Sequence, residues 1–141
     1  MPTPQGDGGR GPPSGARLLI ANGAVRLFRR FTGRGPTHAR VSIQDDLAVI
    51  VLRETLSQYE LKLIQAGQGE GVLRLRDAGQ EAMRGELISL IEEHLGAEVE
   101  AFFSHNSIDP DLALEVFVLT PRLSPEEKSE GHTLEAAELS E

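Results

Sequence analysis

The sequence predicts one small α+β domain with the element order α-β-β-α-α-β-β. Three observations carry this prediction. Residues 39–44 alternate between apolar and polar, as a strand with one wet face does; residues 99–104 and 112–119 form a second strand pair; and helical periodicity governs 16–31 and 83–94. A mixed sheet of about four strands, covered by helices on one face, would bury these apolar runs.

Composition divides the chain into a domain and two extensions. With 141 residues and 39% hydrophobic content, the natural prediction is one domain over residues 16–122. Residues 1–15 are rich in Gly and Pro and are predicted to be disordered. Residues 123–141 carry six glutamates against one lysine and are predicted to form a flexible acidic tail.

Several classes of protein are excluded at this stage. The chain has no cysteine, so disulfides, thiolate metal sites and a cysteine nucleophile are excluded. The first residues lack the apolar core of a signal peptide, and no apolar run approaches the ~20 residues that span a bilayer. The expectation is a soluble, cytoplasmic protein without a transmembrane segment.

The first predicted helix, residues 16–31, is amphipathic and basic, and Ser14 is placed to cap it. Its polar half holds Asn22, Gly23 and three arginines, and Leu19 is the exception there. The apolar half of the helical wheel comprises Leu18, Ile20, Ala21, Ala24, Val25, Leu27, Phe28 and Phe31.

The net charge of −8 conceals a basic region. Residues 16–40 contain six arginines and no acidic residue, which has two interpretations. The helix packs inward and its arginines face solvent, or they contact an anionic partner through Arg26, Arg29, Arg30 and Arg34. Nucleic acid is the less favoured partner, because no aromatic platform or recognition-helix pattern accompanies the arginines.

A β-hairpin is predicted after this helix. Gly33-Arg34-Gly35-Pro36 is incompatible with a helix and forces a turn. Residues 38–53 then form two strands around Gln44-Asp45-Asp46. The run Leu47–Leu52 is apolar throughout, which predicts a more central strand buried on both faces.

Ser57 and Glu60 form a capping box, which predicts a helix beginning at Gln58 and ending near Gly67. Residues 72–76 (VLRLR) fit either a short strand or the first turn of the next helix. Asp77 with Gln80 is a weaker capping signature, and Gly96 is expected to end that third helix.

The link between the last two strands contains His105, Asn106, Asp109 and Asp111. An enzyme acting on a small substrate is a hypothesis that rests on these four residues alone. A calcium loop would need a glycine and a terminal glutamate that are missing here, and His105 has no second histidine near it. The expectation is a non-enzymatic protein without catalytic residues, metal or cofactor.

Five stretches together resemble one bacterial family: IANGAVRLF at 20–28, GRGPTHAR at 33–40, TLSQYE at 55–60, IEEHLG at 91–96 and DPDLALEVFVL at 109–119. The family is named for MpsC, of the Na⁺-translocating membrane-potential-generating system. The resemblance covers about residues 16–122, and Gly33-Arg34-Gly35-Pro36 is its most specific part.

The resemblance implies a small accessory or interaction subunit of a membrane system for cation translocation or inorganic-carbon uptake, peripheral to the inner face of the membrane. It transfers no catalytic residues. The implied partner is a membrane-protein complex. Self-association as a homodimer is a separate prediction, because a small domain with a free strand edge and a broad apolar helix often finds a symmetric mate. A nucleic-acid-associated regulator that uses the basic region 16–40 is the alternative function.

Overall fold

The computed structural model describes residues 12–121 as seven elements in the predicted order. Of the segment 1–15 predicted to be disordered, residues 1–11 lie outside the described residues, and the predicted acidic tail 123–141 lies outside them entirely. The elements are α1 (Ala16–Thr32), β1 (His38–Gln44), β2 (Leu47–Arg53), α2 (Gln58–Gln65), α3 (Gly69–Leu95), β3 (Val99–Ser107) and β4 (Leu112–Leu119).

The four strands form one sheet in the order β1-β2-β4-β3, and every neighbouring pair is antiparallel. The expectation of a mixed sheet was therefore wrong. Two hairpins, β1–β2 and β3–β4, meet through β2 and β4, so both central strands come from the second half of a hairpin. The prediction that β2 is the more central strand of its pair is confirmed.

The core lies between one face of the sheet and the helices α1 and α3. Alternation along each strand sends Val41, Ile50 and Phe117 toward the helices, and all three are buried. Phe102 and Phe117 contact each other there, with ring centroids 5.1 Å apart. The helices contribute mainly Ala16, Ile20, Ala24, Leu27, Phe28, Met83, Leu87, Ile91 and Leu95.

Helix α1 packs through the middle of the predicted apolar half, where Ile20, Ala24, Leu27 and Phe28 are buried, but the margins of that half differ from the prediction. Leu18 is 66% exposed and Phe31 43% exposed, whereas Gly23, placed on the wet half, is buried. The reason is α3: a Cβ built on Gly23 would lie 2.4 Å from the Cδ1 of Leu90, so the two helices approach at the glycine. The helix begins after Gly15 without a side-chain cap, so the prediction that Ser14 caps it was wrong.

Of the two helices in the middle of the chain, α2 begins where the sequence predicts and α3 does not. The Ser57–Glu60 capping box is present and α2 begins at Gln58, as predicted. The third helix begins at Gly69, so residues 72–76 lie inside it and Asp77 caps nothing. Arg76 and Gln80 break the apolar pattern of α3 because they are buried with polar partners.

Candidate functional site

The sheet face that points away from the helices is apolar and has no helix over it within residues 12–121. This outer face corrects the prediction that β2 is buried on both sides: Leu47 is 40% exposed, and Val49 and Val51 are half-buried. Alternation and register place eight large apolar side chains on it: Leu47, Val49, Val51, Phe103, Leu112, Leu114, Val116 and Val118. The sequence signal was correct in that β2 is apolar on both faces, but its second face has no intramolecular cover among the described residues.

The border of the outer face is basic. Arg40 and His38 project from β1, Arg53 from the end of β2, and His105 from β3. No strand position of the outer face within the register carries Asp or Glu; Glu100 lies at the β3 irregularity between Val99 and Ala101. The outer face therefore combines an apolar centre with Arg40 and Arg53 at its edge.

Three of the four arginines predicted to bind a partner lie together. Arg26, Arg29 and Arg30 line an open groove of about 500 Å³ between α1 and α3. The groove also holds two carboxylates, Glu86 and Glu93, and the Nη2 of Arg30 lies 3.3 Å from the Oε2 of Glu86. The surface is of mixed charge, not an array of free cations.

Arg34, the fourth predicted contact residue, is not part of that groove. It lies in the turn after α1, where its backbone carbonyl accepts a hydrogen bond from the hydroxyl of Thr32. Its backbone N–H donates to the same hydroxyl at 3.2 Å. These contacts give Arg34 a structural place in the turn; partner binding by the arginines stays a prediction.

A buried polar cluster under the sheet was not predicted. Glu115 projects from β4 into the core and is fully buried. Its carboxylate accepts hydrogen bonds from the hydroxyl of Ser104 and, at 2.6 Å, from the side-chain amide of Gln80. Burial raises the pKa of Glu115 to about 7, although both hydrogen bonds and the charge of Arg76 act in the opposite direction.

A buried ion pair lies beside this cluster. Arg76 on α3 and Glu60 on α2 are joined by an Nη1–Oε1 distance of 3.2 Å, and both side chains are at least nine-tenths buried. The same nitrogen donates to the carbonyl of Thr55, and the same oxygen accepts from the N–H of Ser57. The capping box thus also tethers α2 to α3.

The four residues of the enzyme hypothesis do not converge. His105 points to the outer face, whereas Asn106 points to the core face and bonds to Gln80 and Asp77. Asp111 accepts hydrogen bonds from the N–H groups of Thr55 and Leu56, at 3.0 and 3.1 Å. Its carboxylate therefore fixes the segment between β2 and α2.

Within residues 12–121 no three His, Asp or Glu side chains are grouped as metal ligands would be. In the same part of the chain, no helix has both the length and the apolar character needed to cross a bilayer.

Sequence signals for the polar cluster did exist. Glu115 interrupts the apolar strand LALEVFVL at a position in phase with Ala113 and Phe117, so it had to face the core. Arg76 and Gln80 continue the stripe that Val72 and Met83 define at helical spacing along α3. A charged residue in phase with a core stripe indicates a buried, partnered group.

The fold and these surfaces define a small α+β domain with an open apolar sheet face and a buried polar cluster in its core. The family model described as "Na+-translocating membrane potential-generating system (MpsC)" matches residues 19–121. The chain belongs to the MpsC family. Comparisons with curated proteins and with solved structures find no match.

Proposed function

We propose that this protein is a non-enzymatic interaction subunit of a membrane system for cation translocation or inorganic-carbon uptake, acting at the cytoplasmic side of the membrane. The outer face of the sheet is the observation that carries the proposal. The family description supports the link to a cation-translocating system.

An uncovered sheet face of this kind is suited to docking. Phe103 is 60% exposed and Leu114 36% exposed, and both lie among half-buried valines on the central strands. Soluble monomers rarely leave contiguous apolar surface of more than a few hundred Å² in water, and larger patches mark interaction sites. Each large aliphatic or aromatic side chain removed from water by a partner contributes about 1.5–3 kcal/mol before the cost of association.

The charge on the border of the outer face selects the kind of partner. Arg40 and Arg53 favour a protein surface that is apolar at its centre and acidic at its rim. A second copy of the chain stacked on the same face brings two basic borders together, which disfavours self-pairing there. Self-association as a homodimer remains the separate prediction made from the sequence.

The test uses the full chain, returned to cells from which its gene has been deleted. Wild-type protein and the Leu18→Glu variant are expected to restore the membrane potential, read with a voltage-sensitive dye, and to crosslink to an integral membrane protein. The double variant Phe103→Glu, Leu114→Glu is expected to lose both activities. Leu18 is the matched control because it is more exposed than either residue and lies on α1, off the sheet.

Three outcomes contradict the proposal. If the double variant keeps its crosslink and restores the potential, the outer face is not the docking surface. Binding of the wild type to protein-free anionic vesicles, lost in the double variant, makes the lipid surface the partner. A dimer mass in sedimentation equilibrium that the double variant reduces to a monomer makes the outer face a self-association surface.

A further inference from the structure

A cavity of about 300 Å³ opens between the three helices on the opposite side of the sheet from the outer face. The end of α1, the start of α2 and the middle of α3 enclose it. Its rim is apolar and wet: Tyr59 is 70% exposed, Leu75 57% and Phe31 43%. Its inner wall is formed by buried side chains, two of them apolar and three polar: Phe28, Met83, Glu60, Arg76 and Gln80.

Arg76 lines this cavity and has one unused hydrogen-bond donor. Its side chain is 5% exposed, and its Nη1 is occupied by Glu60 and by the carbonyl of Thr55. Its Nη2 is buried and has no acceptor within the described residues. An unpaired buried donor on a cation is costly, so an acceptor oxygen supplied by a molecule in the cavity that Arg76 lines would be favoured.

The surroundings of Arg76 define the chemistry of that acceptor. The positive charge already has Glu60 as its counter-ion, and Glu115 lies close enough for its pKa to be affected by Arg76. A further anion would add negative charge to a site of low dielectric. A neutral carbonyl or hydroxyl oxygen can accept a hydrogen bond from the Nη2 without adding charge. Because the rim and much of the wall are apolar, the molecule that carries this oxygen should otherwise be mainly apolar.

We propose that this helical cavity is a binding site for a small, neutral, mainly apolar molecule that carries one carbonyl or hydroxyl oxygen. The oxygen accepts from the Nη2 of Arg76, and the apolar body lies between Phe28, Met83 and the rim. Volumes of about 300 Å³ are at the lower end of the range for small-molecule sites.

Three probes of similar shape test the chemistry: acetophenone, ethylbenzene and benzoate. Each is titrated into full-length protein while the ¹³C resonance of the Met83 methyl group is followed. Acetophenone is expected to bind with a Kd on the order of 1 mM, as its small size allows. Ethylbenzene lacks the oxygen and is expected to bind about tenfold more weakly, and benzoate is expected to be weaker than acetophenone because of its charge.

Two variants locate the site. Gly79 lines the cavity, and a Cβ added there meets nothing within 4 Å, so Gly79→Leu extends into the space without a backbone clash. We expect it to abolish the shift of the Met83 methyl resonance, whereas Gly85→Leu, at an equally open position of α3 outside the cavity, leaves that shift unchanged.

The Arg76→Lys variant keeps a positive charge beside Glu60 but lacks the Nη2 donor. Acetophenone is therefore expected to bind this variant no better than ethylbenzene does. Arg74→Lys, on the exposed side of α3, is the control for that exchange.

Each contrary result overturns the proposal. No shift of the Met83 methyl group with any probe means that the cavity takes no such molecule. Equal binding of ethylbenzene and acetophenone removes Arg76 from recognition, and tightest binding of benzoate makes the site one for anions. Because the cavity and the outer face lie on opposite sides of the sheet, neither result depends on the variants that test the proposed function.

Discussion

At the scale of single residues, Glu115 makes stability depend on pH. Its pKa is about 7 in the folded protein and 4.5 in the unfolded chain, so below pH 4.5 both states carry the proton. Between pH 4.5 and 7 only the unfolded chain loses it, and the free energy of unfolding falls by about 3 kcal/mol across that window. Above pH 7 both states are ionised and this contribution stays constant.

The Glu115→Gln variant isolates this effect. Its amide can donate to Ser104 and its carbonyl can accept from Gln80, so the polar cluster is retained without an ionisable group. Urea unfolding at pH 5 and pH 8 is expected to show a smaller loss of stability in the variant than in the wild type, with the variant the more stable at pH 8. Glu100→Gln, at an exposed position of β3, should follow the wild type at both pH values. Parallel pH profiles for the wild type and Glu115→Gln would show that the carboxyl titrates normally.

Asp111 has a structural role that its position in the polar link did not predict. It accepts from the N–H groups of Thr55 and Leu56 and from the hydroxyl of Thr55, and those two residues are buried. Asp111→Ala leaves two buried amide donors without an acceptor, so we expect a loss of about 2–4 kcal/mol in the free energy of unfolding. Asp109→Ala, in the same link at an exposed position, is expected to change it by less than about 0.5 kcal/mol. Chemical denaturation measures both, and equal effects would contradict the role of Asp111 in fixing the segment between β2 and α2.

At the scale of elements, the sequence predicted best what is decided locally. The capping box before Gln58 acts over three residues, and the alternation of β1 reports directly which face is wet, so both were confirmed. The start of α3 was misjudged because residues 65–71 contain three glycines and because Arg76 and Gln80 interrupt the apolar stripe with polar side chains. Their partners, Glu60 and Glu115, are 16 and 35 residues away, which no local pattern reveals.

The burial of α1 also depends on a distant element that the local sequence pattern does not reveal. Gly23 was placed on the wet half because a glycine contributes nothing to an apolar stripe, yet its lack of a side chain is what lets α3 approach. Leu18 was placed on the buried half by its hydrophobicity, but it points away from both α3 and the sheet and is exposed.

Replacing glycine by leucine is therefore expected to have opposite effects on stability at Gly23 and at Gly85. Gly23→Leu puts a side chain where Leu90 already lies, so we expect overpacking to lower the free energy of unfolding by about 2 kcal/mol. Gly85→Leu adds a side chain in open space and removes the flexibility of a mid-helix glycine, so we expect a gain of about 0.5–1 kcal/mol. Thermal unfolding of the two variants provides the comparison. A stable Gly23→Leu protein would mean that α1 and α3 are not packed at this glycine.

At the scale of the whole molecule, two distinct surfaces are available to partners. The outer face of the sheet is apolar with a basic border, and the groove between α1 and α3 carries Arg26, Arg29 and Arg30 opposite Glu86 and Glu93. The sequence indicated the second surface through its run of arginines. It could not indicate the first, because an apolar strand looks the same whether its far side is covered by the chain itself or left open.

The two surfaces are expected to contribute to partner binding with different salt dependence. One crosslinking experiment at two salt concentrations can therefore distinguish them. Charge contacts of exposed arginines are screened beyond about 10 Å at 0.1 M salt, whereas apolar burial is not weakened by added salt. We expect Arg26→Glu, Arg29→Glu, Arg30→Glu to lower crosslinking to the membrane partner at low salt and to have little further effect at 0.5 M salt. The double variant Phe103→Glu, Leu114→Glu should abolish crosslinking at both salt concentrations.

The triple variant should stay folded, because an exposed pair such as Arg30–Glu86 is worth at most about 1 kcal/mol. Arg17→Glu, on the exposed start of α1 outside the groove, is the control for charge reversal. Undiminished crosslinking of the triple variant at low salt would remove the arginines from the interface and leave the sheet as the docking surface. Complete loss in the triple variant at every salt concentration, with crosslinking intact in Phe103→Glu, Leu114→Glu, would reverse that assignment.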